Sequence, residues 1–290
     1  SARSGAADER AGRRPAGRRG AGARPQGRSG GRGEIVTAVV HGVRHYGPME
    51  IRDRHVLVTG ASRGIGAAIA REFESRGARV SVVARSAGPL QELATEISGY
   101  AVAADLFDRE QLNGLVDRVE AQGGPIDILV NNAGMEYTKS FLDTTEREID
   151  DVVRLNLTVP MQLTRLVLPG MRERGRGHIL NISSMAANGG FPGLAVYLGT
   201  KAGLSPFGRI LRTDLHGTPI RVSTLEVGPV PTDLLANLDY EPTKRSFARL
   251  RRMQLMPNVS AERGARAAAD GVAGDKRSVF VIPNGEFTYI

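Results

Sequence analysis

Apolar residues gather in short runs at 55–59, 79–84, 100–104, 126–131, 177–183, 219–226 and 278–282, the first reading HVLVT. Continuous apolar runs of this length mark strands buried on both faces. Between them, at 64–76, 89–98, 108–122, 145–170, 196–216 and 260–271, apolar positions recur at helical spacing. That spacing predicts amphipathic helices. Strand and helix therefore alternate from about residue 55 onward, which calls for a parallel sheet covered on both sides. Right-handed crossovers make it a doubly wound α/β sheet of seven strands in a single domain. The least regular stretch is 232–258, which mixes Leu234, Leu235, Leu238, Phe247 and Leu250 with Arg245, Arg249, Arg251 and Arg252. It is expected to form a lid over a pocket.

Composition changes the picture mainly at the start of the chain. Residues 1–33 are almost wholly Arg, Gly, Ala, Ser and Pro. Such a segment has too little apolar surface to offset its ordering entropy, so 1–48 is read as a disordered tail and 49–290 as the domain. The tail fits an arm drawn to RNA or membrane, or, less well given Asp8 and Glu9, a transit peptide. The favoured reading is translated upstream DNA, because Met49 is the first methionine and the strand pattern begins beside it. The formal net charge is +8, and the ten arginines of 1–48 against Asp8, Glu9 and Glu34 account for +7 of it. The domain is therefore nearly neutral, which argues against nucleic acid as its partner. Cysteine is absent, excluding disulfides and thiol catalysis, and the five histidines form no metal-binding pair. No apolar run approaches the roughly 18 residues of a membrane span. The expectation is a soluble, cytoplasmic protein.

The stretch TGASRGIG, Thr59 to Gly66, follows the first strand and opens the first helix. Its spacing is GxxxGxG, with Gly60, Gly64 and Gly66. Gly60 permits a tight turn, and Gly64 and Gly66 let backbone and helix come close to a pyrophosphate. The helix start offers free N–H groups and partial positive charge to that anion. The glycines of a plain strand–helix turn would look similar, so the loop alone decides nothing. At the end of the second strand, where NAD-binding proteins place a carboxylate on the ribose, the chain has Ala84 and Arg85. With Arg63 in the loop, two arginines favour a ribose 2′-phosphate, hence NADP(H) over NAD(H).

Tyr197 and Lys201 lie four apart at the start of a predicted helix, on one face. A lysine cation beside a phenol should lower its pKa and let it pass a proton near neutral pH. Such a pair is common on helix surfaces, but Ser184 lies 13 residues earlier, at the end of the fifth strand. That edge of an open α/β sheet is where ligands bind.

The glycine loop, NNAG at 131–134, Asn156, Ser184, Tyr197 and Lys201 together resemble the short-chain dehydrogenase/reductase family, from about Arg52 to Pro283. The resemblance implies a Rossmann-type fold and an oxidoreductase acting on CH–OH groups. It implies Tyr197 as general acid/base, Ser184 as hydrogen-bond donor to the substrate oxygen, Lys201 holding the nicotinamide ribose and tuning Tyr197, and Asn156 fixing a water in the proton relay. It also implies a cofactor site of Gly60, Ser62, Arg63, Gly64, Ile65, Gly66, Arg85, Asp105 and Leu106. Asn132, Ala133, Gly134, Tyr197, Lys201, Val230 and Thr232 complete that site, with Asn131 bracing the sheet. Two departures stand out. Val227 replaces the family's usual proline before Gly228, and Leu198-Gly199 follows the tyrosine where a small Ser or Ala is usual.

The substrate is less legible. The apolar residues of 232–258 suggest a hydrophobic ketone, aldehyde or secondary alcohol, while its arginines would suit an acyl-carrier phosphate or carboxylate if they are not simply solvated. The family includes 3-oxoacyl reductases, steroid and retinoid dehydrogenases, and carbonyl reductases of polyketides and xenobiotics. A non-catalytic NADP-binding regulator is the rival reading. Homodimers or homotetramers through 145–170 and 196–216 are expected.

Overall fold

Val56 and Val58 bury on one face of the first strand and Leu57 on the other, so the sheet has no solvated side at its centre. The computed structural model describes residues 49–230, 239–253, 258–281 and 288–289. Residues 1–48, and with them the tail, lie outside the described residues, as do 231–238, including Thr232, and 254–257 of the expected lid.

Seven strands run parallel: β1 (His55–Thr59), β2 (Arg79–Ala84), β3 (Tyr100–Ala103), β4 (Ile128–Asn131), β5 (Gly177–Ser184), β6 (Ile220–Val227) and β7 (Ser278–Val281). Their spatial order is β3-β2-β1-β4-β5-β6-β7. The order reverses between β1 and β4, and such a switch point leaves a crevice beyond the strand ends. The seven parallel strands agree with the sequence. A two-residue strand, β8 (Thr288–Tyr289), adds an antiparallel edge that the pattern did not announce.

One face of the sheet is covered by α1 (Gly64–Ser75), α2 (Ala87–Glu96) and α9 (Ala261–Ala273). Ala265, Ala267, Ala268 and Ala269 are small enough to bring α9 close to the sheet and α1. The other face carries α3 (Arg109–Asn113), α4 (Leu115–Gly123), α6 (Val159–Glu173) and the long α7 (Ala195–Asp214). The stretch 108–122 thus holds two short helices meeting at Gly114. The stretch 145–170 is likewise divided: α5 (Glu146–Val153), held at its start by a Thr145–Glu148 capping box, passes through a π-helical turn (Arg154–Thr158) into α6. Within the expected lid lies α8 (Glu241–Arg252), with Thr243 and Phe247 buried and its arginines turned to solvent.

Buried polar groups tie the strands together. Asn131 donates to Asn181 Oδ1 at 2.9 Å and to Thr164 Oγ1 at 3.2 Å, joining β4, β5 and α6. His55 and His178 are wholly buried. His178 Nε2 lies 2.9 Å from Ser223 Oγ, whose proton goes to the Lys276 carbonyl, so the ring nitrogen is the donor there. Burial pushes the His178 imidazole down to about 3 and lowers that of His55. Both rings are neutral in the fold and take up protons on unfolding below pH ~6.5. The unfolded state then binds more protons than the native one, so stability falls as pH drops from about 6.5 toward 3. We expect the melting temperature to fall over that window, and to fall less in His178→Gln, as a calorimetric pH series would read.

Candidate active site

The crevice at the switch point is built from the ends of β1 and β4. Thr59 Oγ1 donates to the Val130 carbonyl at 3.1 Å and accepts the N–H groups of Asn132 and Ala133, each at 3.1 Å. Asn132 Nδ2 donates back to the carbonyls of Thr59 at 2.9 Å and Gly60 at 3.1 Å. The glycine loop is therefore fastened to NNAG. Gly60 has φ +65°, and a Cβ there would lie 2.7 Å from Ala133 Cα. At Gly66 a Cβ would lie 2.5 Å from the Gly60 carbonyl. These glycines keep the loop tight against the start of α1, where free N–H groups face the crevice. The arrangement fits a dinucleotide pyrophosphate.

A cavity of about 990 Å³ continues from this cradle. Gly60, Ser62, Arg63, Gly64, Ile65 and Gly66 line one end, with Arg85 and Ser86 beyond β2. Arg63 and Arg85 are exposed at that end. Asp105 and Leu106 follow β3, and Asp105 Oδ1 accepts the Phe107 N–H at 3.0 Å. Asn132, Ala133, Gly134 and Val230 line the middle. Of the cofactor residues read from the sequence, only Thr232 falls outside the described residues.

The other end carries Ser184, Tyr197 and Lys201. Ser184 closes β5, its hydroxyl accepting the Ala186 N–H at 3.2 Å, and the Tyr197 phenol lines the same cavity. Lys201, one turn along α7, is buried, with Nζ donating to the Ile182 carbonyl at 2.9 Å. Behind it, Ser205 donates to Ser183 at 2.8 Å, and Ser183 donates to the Lys201 carbonyl at 2.9 Å. The Ser183 hydroxyl is thus a brace of α7 against β5, whereas no such bond to α7 ties down Ser184 among the described residues. Asn156 sits in the π-helical turn, a distortion that often marks functional positions. It is wholly buried and clasps Met135, accepting its N–H at 2.8 Å and donating to its carbonyl at 2.9 Å. Asn156 lines no part of the cavity wall itself but shares Gly134 as a neighbour with Lys201.

One sequence expectation differs from the structure. The lysine was expected to lower the phenol pKa, yet burial in the cavity wall and the Glu136 carboxylate raise it, with only the Ser184 hydroxyl acting the other way. Lys201 Nζ stands 5.8 Å from the ring centroid, and burial pushes its own pKa down to about 8. With this chain's residues alone, both groups are held toward their neutral forms.

Leu198, an unusual residue by family resemblance, packs with Leu194 and Phe247 and lines the cavity. Phe191 stacks on Phe247 with centroids 4.9 Å apart. Val227 ends β6 as a buried residue and lines the same cavity. Sequence reasoning missed Glu136, two residues beyond NNAG, which also lines the cavity.

Fold, glycine cradle and the Ser-Tyr-Lys cluster together define an oxidoreductase of the nicotinamide-dependent, doubly wound kind. Residues 54–242 match the short chain dehydrogenase family model, and the chain belongs to that family. A ketoacyl reductase of Nostoc sp. (HetN) is 40% identical over 180 residues, covering 60% of this chain and 63% of that protein. An NADP-dependent 3-hydroxy acid dehydrogenase of Escherichia coli (YdfG) is 38% identical over 193 residues, 64% of this chain and 76% of that one. A fatty acyl-CoA reductase of Mycobacterium tuberculosis is 36% identical over 205 residues, 68% of each. Among solved structures, a short-chain dehydrogenase from Streptomyces avermitilis is 31% identical, with TM-score 0.69 over 79% of this chain and 87% of that one. Among the described residues, no helix is long and apolar enough to cross a membrane.

Proposed function

We propose that the protein is an NADP(H)-dependent oxidoreductase that interconverts a carbonyl and a secondary alcohol in the cytoplasm, with residues 49–290 as its catalytic domain. The observation that supports it most is the convergence of Ser184, Tyr197 and buried Lys201 on one cavity continuous with the glycine cradle. When bound, the nicotinamide cofactor supplies or accepts the hydride. The chain does the rest. Ser184 donates a hydrogen bond to the substrate oxygen, and Tyr197 gives that oxygen its proton in reduction or takes it in oxidation. Lys201 holds the nicotinamide ribose and, with a ribose hydroxyl in reach, favours the phenolate that burial opposes. Asn156 holds the Met135 backbone in place and orders the water end of the proton relay.

The ribose 2′-phosphate is assigned to Arg63 and Arg85, supported by their exposure at the cradle end and by the lack of a carboxylate at the end of β2. A charge-assisted hydrogen bond contributes about 1.5–3 kcal/mol. Arg85→Ala is therefore expected to weaken NADPH roughly ten- to a hundredfold and to leave NADH binding nearly unchanged, as fluorescence titration would read. Equal losses for both cofactors would remove the arginine from this role.

The names of two relatives favour an acyl group on the substrate, so a 3-oxoacyl thioester of lipid or polyketide metabolism is the second reading within this activity. The apolar wall of Phe191, Leu194, Leu198 and Phe247 supports an apolar substrate in either case. Self-association as a homodimer or homotetramer through α5–α6 and α7 is part of the proposal, and Ile210, exposed on α7, is consistent with a covered face. Incubation with NADPH and a series of apolar ketones, with the alcohol identified by mass spectrometry, tests the activity. No alcohol from any ketone, aldehyde or oxoacyl thioester would turn the reading toward a cofactor-binding regulator.

A further inference from the structure

Glu136 has no part in the reaction described above, yet it faces the cavity where the substrate must lie. It is close enough to Tyr197 and Lys201 for its charge to act on both. The groups that face it are few. Thr138, on its own loop, donates to Oε1 at 3.3 Å. From α7 come the Lys201 ammonium and the Tyr197 phenol. Among the described residues no ion pair joins Glu136 to Lys201, which donates to Ile182 instead. The other cations lining the cavity, Arg63 and Arg85, stand at the cradle end. Apart from Ser184, the wall there includes the apolar Phe191, Leu194, Leu198 and Phe247.

We propose that Glu136 makes this pocket selective for uncharged substrates and excludes those that carry a carboxylate near the reacting carbon. The inference rests on the oxidoreductase reading above and narrows its substrate class. A substrate carboxylate would lose its water beside a fixed carboxylate, with no second cation among the described residues to receive it. An ester, thioester or simple ketone of the same shape has no such cost. The chain would then part from its relative named for 3-hydroxy acids and favour neutral acyl or alkyl carbonyls. Burial pushes the Glu136 carboxyl up to about 7, so its charge, and with it the exclusion, grows as pH rises through that value.

The test uses an apolar 3-hydroxy carboxylic acid and its methyl ester, both chemically stable, in the oxidation direction with NADP⁺. Binding of each to the full-length protein with NADP⁺ is measured in parallel by calorimetry. The wild type is expected to favour the ester by about ten- to a hundredfold in kcat/KM, as like-charge exclusion commonly does. The binding constants should show the same preference, widening from pH ~6 to ~8 while the acid stays ionised throughout. In Glu136→Gln, and in Glu136→Ala as a second variant, the preference should collapse to within about threefold and lose its pH dependence. A wild type that takes acid and ester alike, or a preference that both variants keep, would overturn the assignment. Absence of turnover with either compound would count against the oxidoreductase reading instead, and the binding preference would still decide the role of Glu136.

Discussion

Tyr197→Phe is expected to lower turnover by about 10²–10⁴-fold, the usual contribution of a positioned acid or base, while NADPH binds nearly as before. The phenol oxygen is the one atom removed. It belongs to the cavity wall and contributes nothing to the tie between the glycine loop and NNAG. Phenylalanine keeps the ring against Leu194, Leu198 and Phe247, so the fold should be unaffected. Single-turnover kinetics with NADPH and an apolar ketone would read the chemical step, and fluorescence titration the cofactor. Turnover within tenfold of wild type would mean that another group moves the proton.

Gly60→Ala should act differently, weakening cofactor binding and activity together. Its φ of +65° is unfavourable for alanine, and the new methyl would stand 2.7 Å from Ala133 Cα, a backbone atom that cannot turn aside. Strain at such a position costs about 1–3 kcal/mol. Relief would require the loop to part from Ala133 and Asn132, the contacts that aim the N–H groups of α1. NADPH affinity is expected to fall about ten- to a hundredfold, with a melting temperature lower by several degrees. An unchanged affinity would show that the loop tolerates the shift and that the pyrophosphate is held elsewhere.

The fold was legible because both faces of the sheet are buried. In HVLVT the apolar Val56, Leu57 and Val58 fill both faces, and the helices covering the strand need only one apolar side. The pattern failed where a helix changes form without changing its apolar face. The π-helical turn at Arg154–Thr158 keeps the amphipathic spacing close enough that 145–170 reads as one element. Gly114 divides α3 from α4 by a single residue, too little to interrupt the periodicity. Strand β8 pairs through backbone at the sheet edge, and two residues carry no pattern.

At the site, residues set by spacing were readable and residues set by loop path were not. Tyr197 and Lys201 announce themselves by their four-residue step, and Ser184 by its place at a strand end. Glu136 lies in irregular chain after β4, and nothing in MEYTK tells whether its carboxyl turns to water or to the cavity. The direction of the Tyr197 pKa shift is not legible in the sequence for a related reason. Proximity of Lys201 along a helix says nothing of the burial that neutral tyrosine tolerates and phenolate does not, nor of a carboxylate arriving from another loop. Leu198 takes its meaning from Phe247 of α8, which packs in the same cluster.

The central claim is that this chain directs a hydride between a nicotinamide and a carbonyl carbon while its own tyrosine handles the proton. It is tested most directly with NADPH deuterated at the nicotinamide C4, an apolar ketone, and mass spectrometry of the product. The account predicts deuterium bound to the carbinol carbon of the alcohol, formed by the wild type and lost with Tyr197→Phe. Alcohol without deuterium at that carbon, or no alcohol from any uncharged carbonyl despite bound NADPH, would contradict it.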